Sequence, residues 1–487
     1  MTQIWRRSGR QVRVAARFLV ANRLNNSADR PLFFEGAARR KEKKNNVKFS
    51  KSLTVLTVLA VSAFVFMTAR AQTPQGNTYD DAVAQNVKTM FEQGKQIFRF
   101  DTFGDEDFWG GKLRLHEPIA GAKHGGTGPG LTPKQALAVG LKVDVDQLPA
   151  AVIEQVKAGK VNFDDPETTI LLLQSNAVVG VKAFADPSGK VTGLGITCGF
   201  CHSTVDDAVM PGIGHRLDGW PNRDLNVGAI VAMAPNLKPL KDALGVDETT
   251  LKKVLHSWGP GKYDAELNFD GKALRPDGKP AATLLPPAFG LAGVNNHTWT
   301  GAWGNVTYWN AYVANTQMHG KGVFFDPRLK NPSQFPLGAK NGMSNLRNTP
   351  DMVTAKLAAL QYYQLSLPAP KPPEGSFDHA AAERGAQLFS GKAQCSTCHV
   401  PPVFTEPGWN LHTPAEIGVD DFQSNRSPDK RYRTAPLRGL FAHTKGGFYH
   451  DGRFATLNDV VNHYNTFRKL GLTEVEKHDL IEYLKSL

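Results

Sequence analysis

Cysteine is scarce in this sequence: four residues in 487. A small scaffold stapled by many disulfides is excluded at that count. All four fall in two stretches, "TCGFCHST" at 197–204 and "QCSTCHV" at 394–400, and both read Cys-x-x-Cys-His. Methionine is nearly as rare, at eight, and none follows Met352. Charge of one sign is missing from most of the chain as well. Residues 1–71 hold 15 Lys and Arg against Asp29, Glu35 and Glu42, which accounts for the whole formal charge of +12 and leaves 42 bases and 42 acids in 72–487. Without the first segment the protein is formally neutral, and a nucleic-acid partner loses its electrostatic basis. The apolar run Leu53–Met67 spans 15 residues, short of the roughly 20 that a membrane span needs. No permanent membrane span is expected.

Lys48 and Lys51 precede that run, and Ala69-Arg70-Ala71 follow it before Gln72. A basic part, an apolar part and small residues at the cut, in that order, form a secretory signal. The pattern predicts cleavage near Gln72, a translation start near Val47 and a periplasmic or secreted protein. Residues 1–46 are rich in Arg and Asn and show no sustained periodicity.

The mature part divides at "LPAPKPPEGS", 367–376, whose four prolines make a stiff connector. An apolar helical stretch, "TAKLAALQYYQLSL", precedes it. The chain ends on a similar one, "LTEVEKHDLIEYLKSL", opened by a Thr473/Glu476 capping box with Val475, Leu480, Ile481 and Leu484 mostly on one face. Both halves also open alike. "EQGKQIF" at 92–98 matches "ERGAQLF" at 383–389, and a glycine four residues before an aromatic lets a second helix cross closely. A duplicated domain is the reading. The halves differ in one respect: Cys395 follows Phe389 almost at once, whereas Cys198 follows Phe98 by about a hundred residues. That insertion carries a Gly-rich loop, "AGAKHGGTGPG", and helical patches around 132–160 and 166–182.

Three chemistries compete for Cys-x-x-Cys-His. A zinc site needs further thiol or imidazole ligands at short spacing, and the two pairs lie almost 200 residues apart. A thioredoxin-like redox pair has no use for the histidine. Covalent haem c explains every position: two thiols add to the two vinyl groups, and the next residue gives its imidazole to iron. With 14 His in 487 residues, both pairs gain the histidine by chance about once in a thousand. Cys198, Cys201 and His202 would hold one haem, and Cys395, Cys398 and His399 the other. The fold expected is mostly α, with two cytochrome-c-like haem domains: 72–367, carrying an insertion of ~100 residues, and 377–487, joined by the linker 368–376. Gly94/Phe98 and Gly385/Phe389 would be the residues at which the terminal helices cross.

The opposite face of each iron separates carrier from catalyst, since carriers commonly use methionine there. The second domain has none. His412, His443, His450, His463 and Tyr464 are its donors, and "TLNDVVNHYNTF" at 456–467 reads as a helix whose apolar face holds Leu457, Val460, Val461 and Tyr464, with His463 at the edge. Adjacent side chains diverge by about 100°, so one of His463 and Tyr464 reaches iron. For the first haem, His215 in "MPGIGHRLDGW" or Met210 is the candidate.

At these residues the chain resembles the bacterial di-haem cytochrome c peroxidase superfamily, which includes a quinone-maturing di-haem enzyme and di-haem rubber oxygenases. The likeness is firmest over 376–487. "YRTAPLRGLFAHTKGGFYHDGRFATLNDVVNHY" is similar to the family's Phe-Arg-x-x-Pro-Leu-Arg-Asn and Pro-Tyr-Phe-His-x-Gly segment through Pro436, Leu437, Arg438, Tyr449, His450, Gly452 and Leu457. The resemblance implies a distal ligand at Tyr464, as in the quinone-maturing enzyme, or at His463, as in the oxygenases. It makes His215, in "GIGH", the displaceable distal residue of the first haem. It also implies calcium, a redox partner such as a small cytochrome c or cupredoxin, and peroxide, dioxygen or an organic substrate. The function expected is a periplasmic di-haem c oxidoreductase. One haem relays electrons, and the other, the first, reacts with peroxide or dioxygen. His215, Arg216 and the loop "HTWTGAWGNVTYW" at 297–309 are the expected lining, and Trp299, Trp303 or Trp309 the relay between haems. A non-catalytic electron-transfer cytochrome is the alternative. A haem-based sensor is a third reading, disfavoured because no output domain is visible.

Overall fold

The computed structural model describes residues 78–487. The signal segment, the start near Val47 and the cleavage site lie outside them. Among the described residues helix predominates, strands occur as five two-stranded ladders, and no helix is long and apolar enough to cross a membrane.

Helix α1, Tyr79–Phe100, starts where Thr78 and Asp81 cap each other. Helix α2, Pro166–Gln174, begins with proline in its first turn behind the Asp165 cap. Strands β1, Val181–Ala185, and β2, Val191–Ile196, pair antiparallel and lead straight into Cys198. Helices α3, Val306–Thr316, and α4, Leu357–Ser366, complete the part before the linker. Beyond it come α5, His379–Ser390, α6, Leu457–Phe467, and α7, Glu474–Ser486. Reciprocal boxes open the last two, Thr456/Asp459 and Thr473/Glu476.

Two helix pairs repeat one crossing. A Cβ on Gly94 would fall 2.0 Å from the Ala359 carbonyl oxygen of α4, and one on Gly385 2.0 Å from the Asp479 carbonyl oxygen of α7. Only a residue without a side chain permits that approach. Phe98 and Phe389, four residues on, are fully buried and meet Tyr363 at 5.5 Å and Tyr483 at 5.2 Å. The short pattern shared by the two halves is therefore packing geometry.

Elsewhere the structure corrects the sequence reading. The patch 132–160 is two short helices, Pro133–Ala138 and Ala150–Lys157. Between them Gly140 turns at φ +86°, and Val143–Asp144 pair with Ile213–Gly214. The patch 166–182 is helix only to Gln174; Asn176, at φ +53°, ends it, and β1 follows. Val475 is 68 % exposed, so the apolar face of α7 is Leu480 and Leu484 with Ile481 half-buried. The long segment between Phe98 and Cys198 supplies much of the largest apolar cluster, where Phe108, Leu113, Leu172 and Leu194 pack with Leu225, Ile230, Leu251 and Leu255.

Side chains from beyond the linker reach back into the first half. Arg426, fully buried, donates from Nε to Asp270 at 2.7 Å and from Nη2 to Asp264 at 2.8 Å. Arg275 pairs with Asp451 at 2.6 Å and Asp420 at 3.2 Å, and the Leu284 amide donates to the His450 carbonyl at 2.7 Å. The first residues of the linker are held too. The Gly290 amide donates to the Leu367 carbonyl at 2.8 Å, and Gly439 has room for no side chain beside Pro370.

Candidate haem sites and the junction between them

Strand β2 ends at Ile196, and the chain then turns tightly through Cys198–His202. The Thr197 hydroxyl fixes this turn to the Arg99 carbonyl of α1 at 3.1 Å. Cys198 and Cys201 form no disulfide, and burial pushes both thiols up to about 12. A redox pair of the thioredoxin type works through a depressed thiol, and burial moves both of these the other way. Burial pulls His202 down to about 4, which keeps the imidazole neutral and its lone pair available to a metal. In the second half Cys395 is pushed up to about 11 and His399 down to about 4, both by burial. His399 Nδ1 lies 3.2 Å from the Phe404 carbonyl oxygen. That contact makes Nδ1 the donor and frees Nε2 for a metal.

Each motif opens on its own cavity. The first is walled mostly by apolar side chains, Ile119, Leu131, Leu173, Val178, Leu194 and Val231 among them, with several polar ones. Of the polar residues Gln423 Nε2 donates to Glu266 Oε2 at 3.1 Å, and Asn310 donates to Gln364 at 2.6 Å; Gln317 also lines the wall. Burial pushes Glu266 up to about 7, against the pull of Arg426. The second cavity is walled by Leu437, Leu440, Val460, Val461, Leu472 and Leu480, with Tyr449, Tyr464, His412, His443 and His450 among them. Two neutral thiols and a neutral imidazole on the wall of a largely apolar cavity, twice over, form a donor set that fits haem c.

The structure separates the paired candidates. Tyr464 lines the second cavity together with Leu457, Val460 and Val461 of the same face of α6. His463 does not: its ring lies parallel to Phe467 at 5.9 Å and its Nε2 is 3.4 Å from the Ile417 carbonyl oxygen. His215 stands apart. It is absent from the first cavity's wall, its side chain is 58 % exposed, and Asp146 holds it at 2.7 Å and raises its pKa. Met210 and Arg216 stand outside the wall too; Arg216 is buried against Asp218 at 2.6 Å. Of the loop 297–309, His297, Thr298, Trp299, Thr300, Val306 and Trp309 do line the first cavity. Trp303 is packed instead among Phe269, Tyr312 and Phe335.

Trp299 lines both cavities, as do Pro286, Pro287 and Arg433. Its indole Nε1 donates to the Leu284 carbonyl at 2.8 Å, and the Arg433 amide donates to its own carbonyl at 3.0 Å. Asp420 and Asp451, with His450 beside them, could offer oxygens to a cation, but Arg275 and Arg453 already pair with both. Sequence reasoning passed over Glu266, Gln423 and Arg433. Nothing local singles them out: Glu266 and Gln423 lie in mixed polar stretches, "DAELNFD" and "DDFQSNR", and Arg433 follows Lys430 and Arg431.

No protein-family model matches the chain. Among curated proteins it is similar to the methylamine utilization protein MauG of Methylorubrum extorquens, at 29 % identity over 32 % of this chain and 46 % of that protein. It is also similar to the cytochrome-c peroxidase IdrP1 of Denitromonas iodatirespirans, at 27 % identity over 22 % of this chain and 40 % of that protein. The chain thus spans less than half the length of these curated relatives. Among solved structures, a MauG-like protein associated with microbial copper homeostasis aligns with a TM-score of 0.30 and 19 % identity, over 45 % of this chain and 77 % of that one. The diheme peroxidase BthA from Burkholderia thailandensis aligns with a TM-score of 0.29 and 17 % identity, over 47 % and 78 %. In sequence the protein is similar to the bacterial di-haem cytochrome c peroxidase superfamily. The two curated relatives are a cytochrome-c peroxidase and a MauG by name.

Proposed function

We propose that this is an exported di-haem c oxidoreductase with a haem domain on each side of 368–376, in which the His399 haem relays electrons and the His202 haem reduces peroxide or dioxygen. One observation carries the division of labour: among the described residues the first cavity's wall holds an acid, Glu266, and the second cavity's wall holds none. Haem supplies the iron at which an O–O bond is reduced; for peroxide, two electrons and two protons yield two waters. The chain supplies the protons. Gln423 donates to Glu266 Oε2, and the Glu266 carboxyl in the cavity wall is the proposed source of a proton. Tyr464 is the ligand proposed for the second iron, and Trp299 the side chain through which electrons cross. A small redox protein is the proposed donor.

In the oxidised protein and at partial reduction, EPR is expected to show one iron open to ligands. Cyanide should shift the spectrum of the His202 haem, while Tyr464→Phe changes only that of the His399 haem. Cyanide bound at the His399 haem with the other untouched would reverse the roles. The second reading, an electron carrier, is favoured by Met318 in the first cavity's wall; it requires two low-spin signals in every redox state.

Glu266 gives the reaction a pH dependence. An acid raised to about 7 holds its proton below that value and loses it above, so peroxide turnover should fall as pH rises through about 7. Glu266→Gln should remove that limb and slow turnover by about 100-fold or more, the usual worth of a positioned acid. An unchanged pH profile in that variant would exclude Glu266 as the proton donor.

A further inference from the structure

Among the described residues, two arginines at the cavities face no acid. Arg223 donates from Nη1 to the Lys445 carbonyl at 3.1 Å, and Arg433 to the Asn296 carbonyl at 2.7 Å. The Nε of each is buried without a partner. Burial alone shifts them, pulling both guanidiniums down to about 10. A guanidinium keeps its proton in a protein, so each is a fixed positive charge taken out of water. Such a charge is strongly destabilising unless an anion answers it. Where the fold can answer, it does so with carboxylates, as Asp264 and Asp270 do for Arg426. At Arg223 and Arg433 the anion has to come with whatever fills the cavities.

Position shows which anion serves which arginine. Arg223 stands in the wall of the second cavity only, while Arg433 stands in the walls of both. Each sits near a buried histidine whose ring nitrogen is unpartnered, His443 Nε2 by Arg223 and His297 Nδ1 by Arg433. Haem carries two propionates on one edge, and a guanidinium fork matches carboxylates in geometry and charge. We propose that Arg433 is a clamp shared by the two haem sites, taking a propionate from each, and that Arg223 serves the His399 haem alone. This rests on haem occupying both cavities. A positive charge held at both sites favours the reduced iron at both, so one residue sets two potentials together.

The test is potentiometric titration of the two haems, followed optically, in the full holoprotein. Arg433→Gln should lower both midpoint potentials, each by at least a tenfold change in the reduction equilibrium, ~59 mV for one electron. Arg223→Gln should lower only that of the His399 haem. Arg433→Lys, which keeps the charge and loses the fork, should move both in the same direction by smaller steps, and it carries the test if the glutamine variant does not assemble. Two haems present with one potential or neither moved by the Arg433 substitutions overturns the clamp. A wild-type protein without covalent haem by mass instead overturns the reading beneath it.

Discussion

Replacing Cys395 and Cys398 together with alanine is expected to leave a protein with one covalent haem where the parent carries two, read as a loss of one haem in the intact mass and in a haem-stained gel. The same pair of substitutions at Cys198 and Cys201 should leave the other haem. The effect goes beyond the cofactor count. The wall of the second cavity is built from Leu437, Leu440, Val460, Val461, Leu472 and Leu480, residues whose apolar surface needs a partner. Losing that partner forfeits ~25 cal/mol per Å² of apolar area, and a haem face covers a large area. Trypsin should therefore cut the 377–487 segment of the variant first, while 78–367 resists. A doubly substituted protein that still carries two covalent haems would refute the assignment of those thiols.

Arg426→Met is expected to cost about 3–5 kcal/mol of stability, the range for removing one partner of a buried ion pair. Asp264 and Asp270 lose their cation, and both are buried. The sign with pH follows. Burial raises Asp264 and Glu266 even with Arg426 present, and Arg426 is what opposes that rise in each. Without it their folded pKa values move further up. Carboxylates that fold protonated are best tolerated at low pH, and their stability is lost as pH rises through the folded value. Denaturant unfolding should show a larger deficit at pH 8 than at pH 5. A deficit equal at both would mean that the acids had found another cation.

The helix crossings are legible in the sequence because their cause is local: a close crossing fixes Gly-x-x-x-Phe within one turn and a half. What the sequence could not show was which of two neighbours points inward. His463 and Tyr464 are equally good donors by residue type; Tyr464 lies in the second cavity's wall, while His463 lies parallel to Phe467. Nor does the Gly-rich setting of His215 show its partner, Asp146, 69 residues earlier, which holds the side chain at the surface. The first cavity's wall draws Glu266, Gln317 and Gln423 from segments far apart in the chain, and no periodicity links them.

The contacts across residues 368–376 bear on how such a protein could be encoded. Arg426 on Asp264 and Asp270, Gln423 on Glu266, Arg275 on Asp451 and the Leu284 amide on the His450 carbonyl join the two halves through side chains and a backbone hydrogen bond. None of these depends on the backbone running unbroken through the exposed stretch 373–376. The peptide continuity there raises the local concentration of one half near the other and adds little to the join itself. Two adjacent reading frames, one ending after α4 and the next starting before α5, would encode chains that recognise each other through the same buried arginine.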